Sequence, residues 1–228
     1  MEDARLDHHE LVEIVEELHA ADSLEETAEQ VIAYLCETLE MDAAGVTLLR
    51  GGSRLETVAA TSDLVVEVDE IQEKCQEGPW LSQDWDQTLR VGDLGRETRW
   101  RDWTSGLSER GFKSMLAVGL PIQGRRIGVV SLYSCVPRFF DEDDTALAHL
   151  FARHAAVALV RADREAHLQL ALDSRKLIGQ AQGILMERFG LDEPRAFEVL
   201  KRYSQHHNLR LRRVAEMLVQ TRALPPML

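Results

Sequence analysis

Hydrophobic spacing along the chain switches between two periods, and the switches mark its elements. In the first forty residues apolar positions recur every three or four. Leu11, Ile14, Val15 and Leu18 form one stripe, which predicts an N-terminal helix over 1–20. Ser23 and Glu26 make a capping box ahead of Ala28, Val31, Ile32, Leu35 and Leu39, which predicts a second helix. After Met41 the period falls to two. AGVTLLR and LETVAAT, separated by Gly51-Gly52-Ser53, predict one pair of strands; SMLAVGLPIQ and RIGVVSLYSC, joined around Gly124, predict another. The long stretch between the pairs reads as loop-rich. Helical spacing resumes at Asp141, an N-cap with Asp144 three residues on. Helix, strand pair, insertion, strand pair and closing helix make an α+β domain over 21–163 with a central antiparallel sheet.

From Asp141 no proline intervenes until Pro194, and the polar patch RADREAH at 161–167 marks a junction, so 164–173 reads as a helical connector. Leu170, Ser174, Leu177, Ala181 and Ile184 then recur at spacings of 4, 3, 4 and 3. That seam fits a short coiled coil between two copies and fits intramolecular helix packing equally well. Asp192 caps a further helix with Pro194 in its first turn and Ala196, Phe197, Leu200, Tyr203 and Ser204 on one face; Phe197 and Tyr203 read as core. Asn208 ends it, and a last helix begins near Leu211. Residues 174–228 therefore read as a small all-α domain of three helices.

Charge separates the two parts. The 228-residue chain carries −13, yet from Ser174 onward ten Lys+Arg face five Asp+Glu, so the first 173 residues hold −18. An acidic body joined to a basic module suits a module that binds an anionic polymer. No apolar run approaches the roughly 20 residues of a membrane span, and the acidic N-terminus is unlike a secretion signal, so a cytoplasmic protein without a membrane partner is expected. Cys36, Cys75 and Cys135 are too scattered for a zinc site or disulfide framework. No GxxxxGK, GxSxG or HExxH is present, and no enzyme, catalytic residue, metal or cofactor is assigned.

One stretch breaks a local rule. Within RKLIGQAQGILMERFG, Gly179 and Gly183 sit inside a helical pattern, where each costs about 1 kcal/mol against alanine. On a helical wheel Leu177, Ile178, Ala181, Ile184, Leu185 and Phe189 share one arc, while Gly179, Gly183 and Met186 lie on another side with Arg175 and Lys176. A smooth strip flanked by positive charge admits either a nucleotide backbone or a partner helix.

These residues carry a resemblance. IGQAQGILMERFGLDEPRAFEVLKRYSQHHNLRLRRVAEMLV resembles an ANTAR domain, matching at Ile178, Ala181, Gly183, Ile184, Leu185, Met186, Ala196, Phe197, Leu200, Leu211, Val214 and Ala215. The resemblance implies a homodimeric regulator that binds paired RNA hairpins and prevents a terminator from forming. The RNA-facing candidates are Arg175, Lys176, Gly179, Gln180, Gln182, Gly183, Lys201, Arg202, Arg210, Arg212 and Arg213; Gln182 stands where the family often has lysine. Upstream, GFKSMLAVGLPIQGRRIGVVSLYS and FFDEDDTALAHLFARHAAVAL are similar to a GAF domain, which implies a sensor with a small-molecule ligand of unstated identity. Trp80 stands where related GAF domains carry cysteine. Trp80, Trp85, Arg96, Arg99, Trp100 and Trp103 are the candidate pocket residues, with closure of a solid core as the alternative for the tryptophans. A DNA-binding transcription factor and a protein-interaction dimer without nucleic acid remain alternative functions.

Overall fold

The computed structural model describes residues 21, 23–51, 54–79 and 88–223; the helix expected over 1–20, and Trp80 and Trp85, lie outside them. The chain divides into two compact units, 1–163 and 164–228.

In the first unit α1 (Leu24–Leu39) starts where the Ser23 hydroxyl accepts the Glu26 N–H at 3.0 Å, and it buries Ala28, Val31, Ile32 and Leu35. β1 (Ala43–Arg50) and β2 (Arg54–Ala60) pair antiparallel, as do β4 (Ser114–Ile122) and β5 (Arg125–Ser134). The β4–β5 turn places Gln123 and Gly124 at φ 48° and 75°, the doubly positive geometry that matches the twist of a hairpin.

The stretch between the strand pairs is more ordered than its sequence suggests. It holds α2 (Asp63–Cys75), β3 (Thr88–Val91), a 3-10 turn (Leu94–Arg96) and α3 (Arg101–Glu109). β3 completes an antiparallel sheet of order β2-β1-β5-β4-β3. α2 is hard to see because its buried stripe, Val65, Val68 and Gln72, is interleaved with exposed Leu64 and Val66 and ends on a polar residue.

Both faces of the sheet are covered. Val46, Leu48, Leu116, Val118, Val130 and Leu132 pack with α1 and with Phe151, Ala155 and Leu159 of α4 (Glu142–Phe189). The other face carries Met115, Ala117, Val129 and Tyr133 beneath Val65 and Val68 of α2 and Trp103 and Leu107 of α3. The Thr47 and Thr57 hydroxyls both donate to Asp69 Oδ2, at 2.9 and 2.6 Å, and pin α2 to the two strands. α4 begins with a reciprocal cap: the N–H groups of Asp143 and Asp144 donate to Asp141 Oδ1, and the Asp141 N–H donates to Asp144 Oδ2.

α4 is one helix of 48 residues that starts in the first unit and ends in the second. Residues 164–173 are exposed on every side. Beyond them, Ala181 and Leu185 are buried with Ala196 and Leu200 of α5 (Glu193–His206) and Val214, Ala215 and Leu218 of α6 (Leu211–Thr221), so three helices share one small core. Gly190 at φ 62° ends α4, Asp192 caps α5 by accepting the Arg195 N–H at 2.9 Å, and Asn208 at φ 51° ends α5. The seam divides here: Leu177, Ala181 and Ile184 belong to this core, whereas Leu170 is 51% exposed. Phe189 departs from the core arc expected for it and is 60% exposed, because it follows the last turn that α5 and α6 cover.

A Cβ added at Gly128 of β5 would meet the Thr47 carbonyl oxygen at 2.3 Å and Leu48 Cα at 3.0 Å. Backbone cannot swing aside as a side chain can. Gly128→Ala is expected to destabilise the first unit by about 1–3 kcal/mol, read as a lower urea midpoint at unchanged slope.

Candidate functional site

The solvent side of the second unit follows from its core. With Ala181 and Leu185 buried, the helical period turns Arg175, Lys176, Gly179, Gln180, Gly183 and Met186 outward, and all six are exposed. A Cβ at Gly179 or Gly183 would meet nothing within 4 Å. Among the described residues no neighbour requires either glycine, so the helix carries their conformational cost without a packing reason there.

The candidates reach the surface from all three helices. Gln182, half-buried, donates its amide to the Glu193 carbonyl at 3.2 Å, tying α4 to the first turn of α5. Lys201 and Arg202 are exposed on α5; Lys201 lies 3.3 Å from Glu198, a solvated pair of small energy. Arg210 is the N-cap of α6 without a capping side chain, and Arg212 and Arg213 lie exposed in its first turn, with Arg213 2.8 Å from Glu216. Among the described residues Arg175, Lys176, Arg202, Arg210 and Arg212 make no ion pair, which leaves their charge available to an outside anion. The positive end of the α6 dipole adds to the field of Arg210 and Arg212.

Of the two aromatic side chains expected in the core, Tyr203 packs against it and Phe197 does not. Phe197 is 37% exposed rather than core. Tyr203 is half-buried and stacks on His207 with ring centroids 5.9 Å apart. Phe189 was hidden by its place on the apolar arc; the signal that finds it is Gly190, whose helix-ending position puts Phe189 in the last turn.

The first unit does not gather its described candidates into one pocket. Trp103 is fully buried and Trp100 nearly so, meeting edge to face at 5.8 Å between centroids in the core beneath the sheet. Arg99 lies over the Trp100 ring at 4.4 Å and grips both oxygens of Glu97 at 2.9 and 2.6 Å. That grip holds the Glu97 carboxyl at about 2, well below its usual range. Arg96 alone of the four lines an open depression, beside Thr98, Arg101, Ser105 and Ser108. Burial, with the Asp69 carboxylate nearby, pushes the Tyr133 phenol far up, so it stays neutral. Cys36, Cys75 and Cys135 are free thiols, and among the described residues no His, Cys, Asp and Glu cluster suits a metal ion. No described helix is long and apolar enough to cross a membrane.

Known proteins match the two units separately. Residues 21–160 match the GAF domain family and residues 166–219 the ANTAR domain family. Over 60 residues the chain is 35% identical to the transcriptional regulatory protein PdtaR of Mycobacterium tuberculosis, an alignment covering 26% of this chain and only 29% of that relative. The GAF domain of a phosphoenolpyruvate-protein phosphotransferase from Coxiella burnetii superposes with a TM-score of 0.53 at 19% identity, over 69% of this chain and 94% of that one. A domain of a protein described as a two-component sensor histidine kinase from Sinorhizobium meliloti gives 0.55 at 19% identity, over 65% and 99%. Such distant likeness carries the fold alone.

Because the space beside Gly183 is open, Gly183→Ala is expected to stabilise the second unit by about 1 kcal/mol, read as a higher melting temperature. An unchanged or lower value would mean that a contact within the chain does depend on that glycine.

Proposed function

We propose, since the chain belongs to the GAF domain family and carries an ANTAR domain behind its GAF domain, that it is a signal-responsive regulator whose ANTAR domain binds RNA stem-loops to promote transcription antitermination. The observation that carries this reading is the outward strip of α4, where two glycines with open space beside them follow directly on the unpaired cations Arg175 and Lys176. Hairpin recognition requires cations for phosphates and a surface that unstacked loop nucleotides can approach closely. A backbone without Cβ atoms offers that approach, and the free arginines of α5 and α6 supply further charge. The regulatory name of the PdtaR relative supports the same role.

The protein acts as a cytoplasmic homodimer in this reading, without catalysis. Leu168 and Leu172, four residues apart on one side of α4, are 63% and 51% exposed within a stretch that no other described element covers, and a second copy of α4 would remove them from water. A GAF ligand that alters the pairing of these helices would alter how two RNA sites are presented, since α4 has no break between the units.

Competition between a paired hairpin RNA and duplex DNA tests the proposal. The wild type is expected to prefer the RNA, and Arg175→Ala with Lys176→Ala to flatten the slope of log affinity against log salt by about 1 to 2. Gly183→Leu is expected to weaken RNA binding at least about ten-fold while the helical content is kept. Equal affinity for duplex DNA, or RNA binding indifferent to all three changes, would overturn it.

A further inference from the structure

We propose that the depression on the outer side of α3 is a binding site for a small phosphate monoester with a hydroxylated body, such as a sugar phosphate. The site lies on the first unit and uses no residue of the candidate RNA surface. α3 buries Trp103 and Leu107 on its inner side. The helical period therefore brings Arg101, Ser105 and Ser108 together on its outer side, at i, i+4 and i+7. The 3-10 turn preceding the helix adds Arg96, and the loop between them adds Thr98. Together they bound an open space of about 640 Å³, within the range that holds a small metabolite.

The charges there are unevenly committed. Arg101 makes no ion pair among the described residues, and Arg96 has only Asp93 at 3.3 Å, with its own side chain 78% exposed. Glu97, the carboxylate on this rim, is matched on both oxygens by Arg99 and also accepts the Thr98 and Arg99 N–H groups at 2.9 Å. The end of α3 is likewise satisfied, since the Asp102 N–H donates to Glu77. What remains is the uncommitted Arg101 fork beside the Arg96 fork, which an exposed Asp93 contact at its Nε holds only loosely, and both suit the oxygens of a phosphate dianion. Among the described residues the Thr98 and Ser105 hydroxyls donate to no group, while Ser108 donates to the Thr104 carbonyl at 2.9 Å and keeps its lone pairs for an incoming hydroxyl. A polyanion is disfavoured here, because the first 173 residues carry −18; a small ligand meets chiefly the local field of the two arginines.

Titration of the full-length chain with ribose 5-phosphate, inorganic phosphate and ribose tests the site, followed by calorimetry and by tryptophan fluorescence, to which Trp100 beneath Arg99 contributes. The sugar phosphate is expected to bind most tightly, inorganic phosphate more weakly, and ribose not at all. Arg96→Ala with Arg101→Ala is expected to weaken both phosphates about ten-fold or more, and Arg101→Lys to restore binding only in part. Ser105→Ala is expected to weaken the sugar phosphate selectively. Arg175→Ala with Lys176→Ala should leave all three titrations unchanged, which separates this site from the RNA surface. Failure of both phosphates to bind, or binding that survives loss of Arg96 and Arg101, overturns the proposal. Equal affinity for ribose 5-phosphate and inorganic phosphate overturns its hydroxyl half. All the altered side chains are solvent-facing, and unchanged circular dichroism verifies that the variants fold.

Discussion

Every inner strand of the sheet must be covered on both faces, and the rest of the molecule follows from that. β4 is buried at seven consecutive positions and β5 at its last seven, so neither face tolerates water. One face needs α1 and the first turns of α4, and the other needs α2 and α3. The reciprocal Asp141–Asp144 cap and the burial of Phe151, Ala155 and Leu159 fix where α4 starts and which side faces the sheet. A few turns later the same helix contributes Ala181 and Leu185 to a second core. The two units are thus built on one continuous element, and neither core would be complete without its share of it.

Between those anchored ends the stretch 164–173 has no tertiary support among the described residues. Ten residues fall below the roughly 12–15 that sustain an isolated helix in water. Its helicity is inherited from the turns on either side rather than generated locally, and its leucines stand exposed to water.

The sequence showed most clearly those elements whose apolar residues keep a single period. The four long strands, the caps at Ser23, Asp141 and Asp192 and the helix break at Asn208 each follow from a local rule that tertiary packing left intact. α2 was obscured because its buried side closes on Gln72, whose polar character hides a position with no exposure. The seam from Leu170 to Ile184 has one spacing but two environments, and periodicity carries no information about which neighbour covers a residue. At the candidate RNA surface the outward placement of Gly179, Gly183, Arg175 and Lys176 was legible from the wheel, since it depends only on the helix period. The fate of Arg99 was not: its attachment to Glu97 and Trp100 arises from a loop conformation that no short-range pattern encodes.

The ends of the sheet also constrain assembly. One border is β3, only four residues long; the other is β2, where Arg54 and Glu56 are exposed and Glu56 is held at 2.7 Å by Arg50, which also reaches Asp163 at 2.6 Å. A short border and a charged, cross-braced one are both poor templates for strand addition, so the sheet resists the edge-to-edge polymerisation that threatens open β-structures. Self-association is thereby steered away from the strands and toward helix surfaces, where contact can be made and released without exposing unpaired backbone.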